Sequence, residues 1–221
     1  MQDATDFDDL SSLLSFDQPV RRAPARLDSR LITLFRVGKL TTDRFEELCL
    51  VRNIGVGGMI CHVNSPLIAR QRVRIELRSD RKIWGTVLWL KDGTAGIGFD
   101  GQVDIEEILA RQDVRTVDRR FGGPRLNIRC RAKLRVESKY YRVHVQDIGQ
   151  NGIGLATRQV VTDGQDVVVT LDGMPPLQGS ALWCRNGRIG VAFNKPIPFH
   201  ELTQWLQDQF GQSWVEKPAS A

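Results

Sequence analysis

The sequence predicts an all-β fold: two tandem six-stranded antiparallel β-barrels, each followed by a short C-terminal helix. Three observations predict it. The stretch GTVLWLKDGTAGIGF, Gly85 to Phe99, returns 94 residues later as GSALWCRNGRIGVAF, Gly179 to Phe193. In both, an apolar run, an Asp-Gly or Asn-Gly turn and a second run ending in Phe make the pattern of a β-hairpin. Short β-rich runs separated by turn residues fill the rest of each copy, as in a small antiparallel barrel. A helical pattern then follows each hairpin.

A chain of 221 residues with 41% apolar content holds two packed domains of about 100 residues each. The formal net charge is a modest +5. Arginines outnumber lysines, which suits planar, bidentate anion recognition. Cys49, Cys61, Cys130 and Cys184 form no CxxC pair, against a zinc site or a disulfide framework, and read as small core residues. No stretch reaches the length of a membrane span, and the N-terminus is acidic, unlike a signal peptide. A soluble, cytoplasmic protein without membrane insertion is expected.

The elements follow in order. Residues 1–20 mix aspartates with Leu10, Leu13, Leu14 and Phe16 and read as an acidic, flexible tail. Domain 1 covers 21–112. It opens with RRAPARLDSR, residues 21–30, a basic approach in which Pro24 breaks any helix. Leu31–Val37 reads as a strand, Gly38–Glu47 as a loop and Leu48–Arg52 as the partner strand. NIGVGG, Asn53–Gly58, is a tight turn that needs positive φ or a close backbone approach. Met59–Val63 continues as strand, and Arg72–Leu77 alternates with Val73, Ile75 and Leu77 on one face. The hairpin Ile83–Leu90/Ala95–Phe99 follows. Asp104–Arg111 is a short helix, with Asp104 as N-cap and Glu107 completing a capping box. Residues 113–118 are the linker. Domain 2, 119–211, has strands Arg131–Val136, Tyr141–Gln146 and Asp166–Leu171, the turn DIGQNG (Asp147–Gly152), the second hairpin and the amphipathic helix Pro198–Phe210. A frayed tail, 212–221, ends the chain. Trp89 and Trp183 are expected in equivalent, mostly buried sites.

Matching arginines across the first strands gives a second offset of 99, attributed to a shorter loop. Arg21 then pairs with Arg120, Arg26 with Arg125, Arg30 with Arg129 and Arg36 with Arg135. Each copy thus has an arginine cluster before its first strand and a glycine turn opening with Asn or Asp.

This combination resembles the PilZ domain, the bacterial receptor module for cyclic di-GMP, whose signature is RxxxR followed by (D/N)xSxxG. In the first copy, Arg22 to Arg26 gives RxxxR with Arg21 in front, and Arg26 to Arg30 is a second frame. Asn53-Ile-Gly55-Val-Gly-Gly58 gives NxGxxG. In the second copy, Arg125 to Arg129 gives RxxxR, with Arg120 upstream, and Asp147-Ile-Gly149-Gln-Asn-Gly152 gives DxGxxG. The resemblance implies arginines that grip phosphates and the guanine Hoogsteen edge, which a guanidinium fork matches. It implies Asn53 or Asp147 on a guanine donor edge, and Gly58 or Gly152 letting the turn lie close to a base. The family's serine is Gly55 in one copy and Gly149 in the other, a loss of one hydrogen bond worth about 0.5–1.5 kcal/mol. Pro124 precedes the RxxxR of the second copy, so the first copy is favoured as the binding one.

The function implied is a cyclic di-GMP receptor or adaptor that relays second-messenger level to an unidentified protein partner. The alternative is a ligand-free, degenerate member acting as an interaction module in a motility or envelope assembly. No catalytic role is expected. His62, His144 and His200 do not cluster by spacing, and no GxSxG, Walker or HExxH pattern occurs. Neither a cofactor nor a metal is expected. Aromatics fall in apparent core positions and leave no stacking platform, so no duplex nucleic acid is expected as a partner.

Overall fold

Alternation of apolar and polar residues sets each strand's two faces. In the computed structural model, described for residues 32–78, 81–109 and 123–211, the alternation closes into two barrels. The first comprises β1 (Ile32–Thr41), β2 (Glu46–Gly55), β3 (Gly58–His62), β4 (Arg72–Arg78), β5 (Arg81–Lys91) and β6 (Thr94–Phe99), followed by α1 (Ile105–Leu109). The second comprises β7 (Leu126–Val136), β8 (Lys139–Gly149), β9 (Gly152–Ala156), β10 (Asp166–Leu171), β11 (Leu177–Arg185) and β12 (Arg188–Phe193), followed by α2 (Phe199–Phe210). Each closes with all neighbours antiparallel, in the orders β1-β2-β3-β6-β5-β4 and β7-β8-β9-β12-β11-β10. The acidic tail, the segment 21–30, the linker and the C-terminal tail lie outside the described residues.

The interiors are filled by the inward members of each strand, among them Val73, Ile75 and Leu77 of β4 and Val167, Val169 and Leu171 of β10. Both hairpin turns place two consecutive residues at positive φ: Asp92 and Gly93 at 48° and 69°, Asn186 and Gly187 at 52° and 72°. These are the turns whose twist matches the flanking strands, as the Asp-Gly and Asn-Gly pairs foretell. Asp104 caps α1, its Oδ1 accepting from the Glu107 N–H at 3.1 Å. α2 buries Leu202, Trp205 and Leu206, and the Trp205 Nε1–H donates to the Asp172 carbonyl at 2.7 Å.

Several expectations need correction. The stretch Gly38–Glu47 is mostly strand. β1 runs on to Thr41, with Leu40 in the barrel interior and Lys39 on the outer face, where it meets Glu46 at 3.6 Å and Glu76 at 3.4 Å. The 99-residue offset of the first strands is also overturned. Arg36 pairs with Val51, and Cys130 with Val145; Thr33 pairs with Asn53, and Asn127 with Asp147. The offset is therefore 94 here too, with a bulge at the same place in both copies. A shift of five is odd and would turn every inward side chain outward, which a closed barrel forbids. Trp89 and Trp183 are equivalent, as expected, but they are not buried. A bulge before each turns it onto the outer surface, where its indole lies flat on Gly96 or Gly190 across the hairpin. Trp89 is 43% exposed.

Two outward residues of the first barrel, Val37 and Leu48, are packed into the cluster that forms the second barrel's core. Glu47, their neighbour on β2, is wholly buried. Its Oε2 accepts from the Asn64 and Ser65 N–H groups at 2.9 and 3.1 Å. Burial nevertheless dominates and lifts its pKa from 4.5 to about 7. A carboxyl raised on folding favours the folded state fully below pH ~4.5 and loses that contribution as pH rises through ~7. Stability is predicted to fall by about 3 kcal/mol between pH 4.5 and 8 on this account. In urea unfolding across that range, Glu47→Gln should flatten the decline; an unchanged slope would remove Glu47 as its source.

Candidate ligand-binding site

The site is built where the β8–β9 turn meets the start of β7. Gly149 and Gly152 close the turn as a pair, with Gln150 and Asn151 at its tip. The segment after β12 latches it: the Phe193 N–H donates to the Asn151 carbonyl and the Ile197 N–H to the Gln150 carbonyl, at 3.0 and 2.8 Å. The Gln150 side chain donates to the Ile197 carbonyl at 2.9 Å. The first barrel repeats the latch, with Phe99 N–H on Gly57 and Val103 N–H on Val56, both within 2.9 Å. No residue from Asn53 to Gly58 or Asp147 to Gly152 has positive φ. The glycines serve close approach instead: a Cβ on Gly58 would lie 2.5 Å from the Ile97 carbonyl oxygen.

One transverse row of the sheet carries the chemistry. In the second barrel Asp147 pairs with Gly154, Gly154 with Gly190, and Gly190 with Trp183. The Asp147 carboxylate occupies the space where a Cβ of Gly154 would be, and the Trp183 indole does the same over Gly190. The result is a strip of two glycines covered by a carboxylate and an indole. Arg125, immediately before β7, donates from Nη1 to Asp147 Oδ1 at 2.5 Å, with both side chains about four-fifths buried. Arg129 sits four residues on, exposed, in the bulge of β7. The Arg185 guanidinium lies 5.2 Å from the Trp183 ring centroid, within cation–π range.

The first barrel has the same row with different occupants: Asn53, Ile60, Gly96 and Trp89. Ile60 replaces Gly154, so its outward side chain stands on the strip. Under the 94-residue register, Phe35 holds the position of Arg129 and is 74% exposed, and in sequence Leu31 is the counterpart of Arg125. The Asn53 amide donates to Thr33 Oγ1 at 3.3 Å. Gly55 and Gly58 pair across this turn as Gly149 and Gly152 do. Arg21, Arg22, Arg26, Arg30 and Arg120 lie outside the described residues. The structure thus brings together Arg125, Asp147, Gly149 and Gly152, with Arg129 at the rim. Sequence reasoning missed Gly154, Gly190, Trp183 and Arg185 as parts of one row. The signal was present in the repeat: read 94 residues apart, Ile60 and Gly154 differ, whereas Gly96 and Gly190 do not.

The second barrel thus sets an arginine, a carboxylate and an indole around one glycine strip. Residues 110–208, which include the second barrel, match the PilZ domain family. No curated protein matches the chain in sequence. Among solved structures, it is similar to the PlzA protein of Borreliella burgdorferi in complex with c-di-GMP, at 11% identity over 83% of this chain and 95% of that one, TM-score 0.36. YcgR of Escherichia coli in complex with c-di-GMP is 11% identical over 78% and 84%, TM-score 0.31. The PilZ domain of CeSA from a cellulose-synthesizing bacterium is 14% identical over 40% of this chain and 97% of that one, TM-score 0.31. Among the described residues, no helix is long and apolar enough to cross a membrane.

The family's serine position has a steric story in the second copy. A Cβ on Gly149 would lie 2.6 Å from the Pro124 carbonyl oxygen and 3.2 Å from Arg125 Cγ. The arm carrying Arg125 crosses so closely that only glycine fits beneath it. Gly149→Ser is therefore predicted to destabilise the protein by about 1–3 kcal/mol. Gly101→Ser, at a glycine with no atom in its Cβ space, should stay within about 0.5 kcal/mol of the parent. Urea midpoints of the two variants provide the comparison, and equal midpoints would refute the close crossing.

Proposed function

We propose that this protein is a non-enzymatic receptor for cyclic di-GMP, that its second barrel is the binding copy, and that it passes the ligand signal to a protein partner. The observation that carries the reading is Arg125 held against Asp147 beside the Gly154–Gly190 strip. Each member of that ion pair has a better partner on the ligand. A phosphate or the O6/N7 edge of guanine offers the guanidinium two acceptors, and the guanine N1–H and N2–H groups offer the carboxylate two donors. Guanine binding exchanges one charged contact for two, without stranding either charge. With the carboxylate drawn onto the base, Gly154 leaves room for a flat ring beside the Trp183 indole. The sequence favours the first copy through Arg22 and Arg26. The register and Ile60 support the second.

Calorimetry with cyclic di-GMP tests this. The parent should bind. Arg125→Ala and Asp147→Ala should each weaken binding by about tenfold to a hundredfold, the loss of a charge-assisted hydrogen bond of about 1.5–3 kcal/mol. Gly154→Ile, which installs the first barrel's residue, should abolish it, while the Arg22→Ala/Arg26→Ala double variant should retain most of it. Loss in that double variant alone would put the site on the first copy. An absence of heat and of thermal shift at high micromolar ligand would favour a ligand-free interaction module.

A further inference from the structure

Away from the candidate site, the outer face of β7 and β8 presents cations with no counter-charge. Arg131, Lys133 and Arg135 alternate outward along β7, and Arg142 and His144 do so on β8; all five are exposed. Lys133 lies directly opposite Arg142, and Arg131 opposite His144. Like charges in directly opposed positions destabilise a sheet. Among the described residues, Arg131, Lys133, Arg135 and Arg142 form no ion pair, although Arg72, Arg74, Arg81 and Arg125 all do. The face opens into a groove of about 600 Å³ that includes Arg131, Lys133, Arg142 and His144, with Asp172 as its one acidic residue.

The geometry points to an acidic strand or helix lying along this face, and we propose that its occupant is the chain's own N-terminal segment, residues 1–20. That segment carries Asp3, Asp6, Asp8, Asp9 and Asp17 and no lysine or arginine. Five negative charges thus match four positive ones and an imidazole. Eleven residues, 21–31, connect the segment to β1. They span up to about 36–40 Å when extended. β1 pairs with β2, and β2 contacts β7, so the tether leaves a strand that lies one strand away from the second barrel. Tethering raises the segment's local concentration to roughly the millimolar range, which makes a modest electrostatic affinity sufficient for occupancy. A docked tail holds the arginine segment 21–30 against the second barrel and covers the cationic strip in the same step.

Zero-length carbodiimide coupling on the full chain tests the proposal, because it forms an amide between a carboxylate and an ammonium in direct contact, with loss of water. Lys133 should couple to an aspartate of residues 1–20 within one chain, as read by mass spectrometry on mixed light and isotope-labelled protein. The yield should drop at least fivefold in 0.5 M NaCl, since a surface ion pair is screened. It should drop similarly in Arg131→Gln/Arg142→Gln, which leaves Lys133 in place; circular dichroism checks the fold, and the salt arm needs no variant. Coupling between chains would overturn the intrachain assignment. Coupling spread equally over Lys139 and Lys195, or insensitive to salt, would overturn the docking itself. So would an uncoupled tail together with binding of a labelled single-stranded oligonucleotide or of anionic vesicles to the Arg131–Arg142 face.

Discussion

The pairing register of the first two strands in each barrel fixes which side chains can meet. A bulge of two residues, Leu34–Phe35 in β1 and Ile128–Arg129 in β7, is inserted at the same point of both hairpins. Below the bulge, inward residues stay inward as far as the hairpin end. Above it, the pairing of Asn127 with Asp147 carries Arg125 to the carboxylate. A one-residue slip would send Asp147 into the barrel, where an unpaired carboxylate has a large desolvation cost. The closed sheet has no free edge to absorb such a slip, so the core packing of Leu126, Ile148 and Ile153 enforces the site geometry at a distance.

The glycines of the row have a different physical origin. At Gly58, Gly85 and Gly179, a Cβ would run into a carbonyl of the neighbouring strand, so these positions belong to the fold in either copy. Gly154 is distinct, because the obstacle there is the Asp147 carboxylate, a side chain rather than backbone. Its counterpart, Ile60, is accommodated in the first barrel, where Asn53 is held by Thr33 instead. The two copies therefore share the glycines at 58 and 152 and at 85 and 179, and differ where Gly154 lies beneath the carboxylate. That division separates scaffold from site more sharply than motif matching does.

Most of the fold was legible because its signals are local. Alternation in β4 and β10, the Asp-Gly and Asn-Gly turns and the Asp104 cap each act over a few residues, and each appears in the structure. The end of β1 was not legible: Gly38 and Lys39 have low strand preference, and pairing with β2 and β4 holds them extended. Trp89 and Trp183 read as core by size and hydrophobicity, yet a bulge invisible in composition rotates them outward. In the site, Arg125, Asp147 and the turn glycines were found by motif. The offset of 99 came from matching arginine to arginine, whereas inside-outside alternation gives 94. Identity of residue type is a weaker constraint than parity in a closed sheet, and the misassigned equivalence of Arg26 with Arg125 follows from that.

The same parity governs what the first barrel contributes. Its position equivalent to Arg129 is Phe35, exposed, and its outward Val37 and Leu48 are spent on packing against the second barrel's core. A face that is already packed against a neighbouring barrel cannot also accept a ligand there. The first copy keeps the latch of its turn, through Phe99 and Val103, and keeps the indole on Gly96, but its row is filled by Ile60. What remains is a barrel joined to the second through β2 and β7, close to the strand whose lead-in carries Arg125.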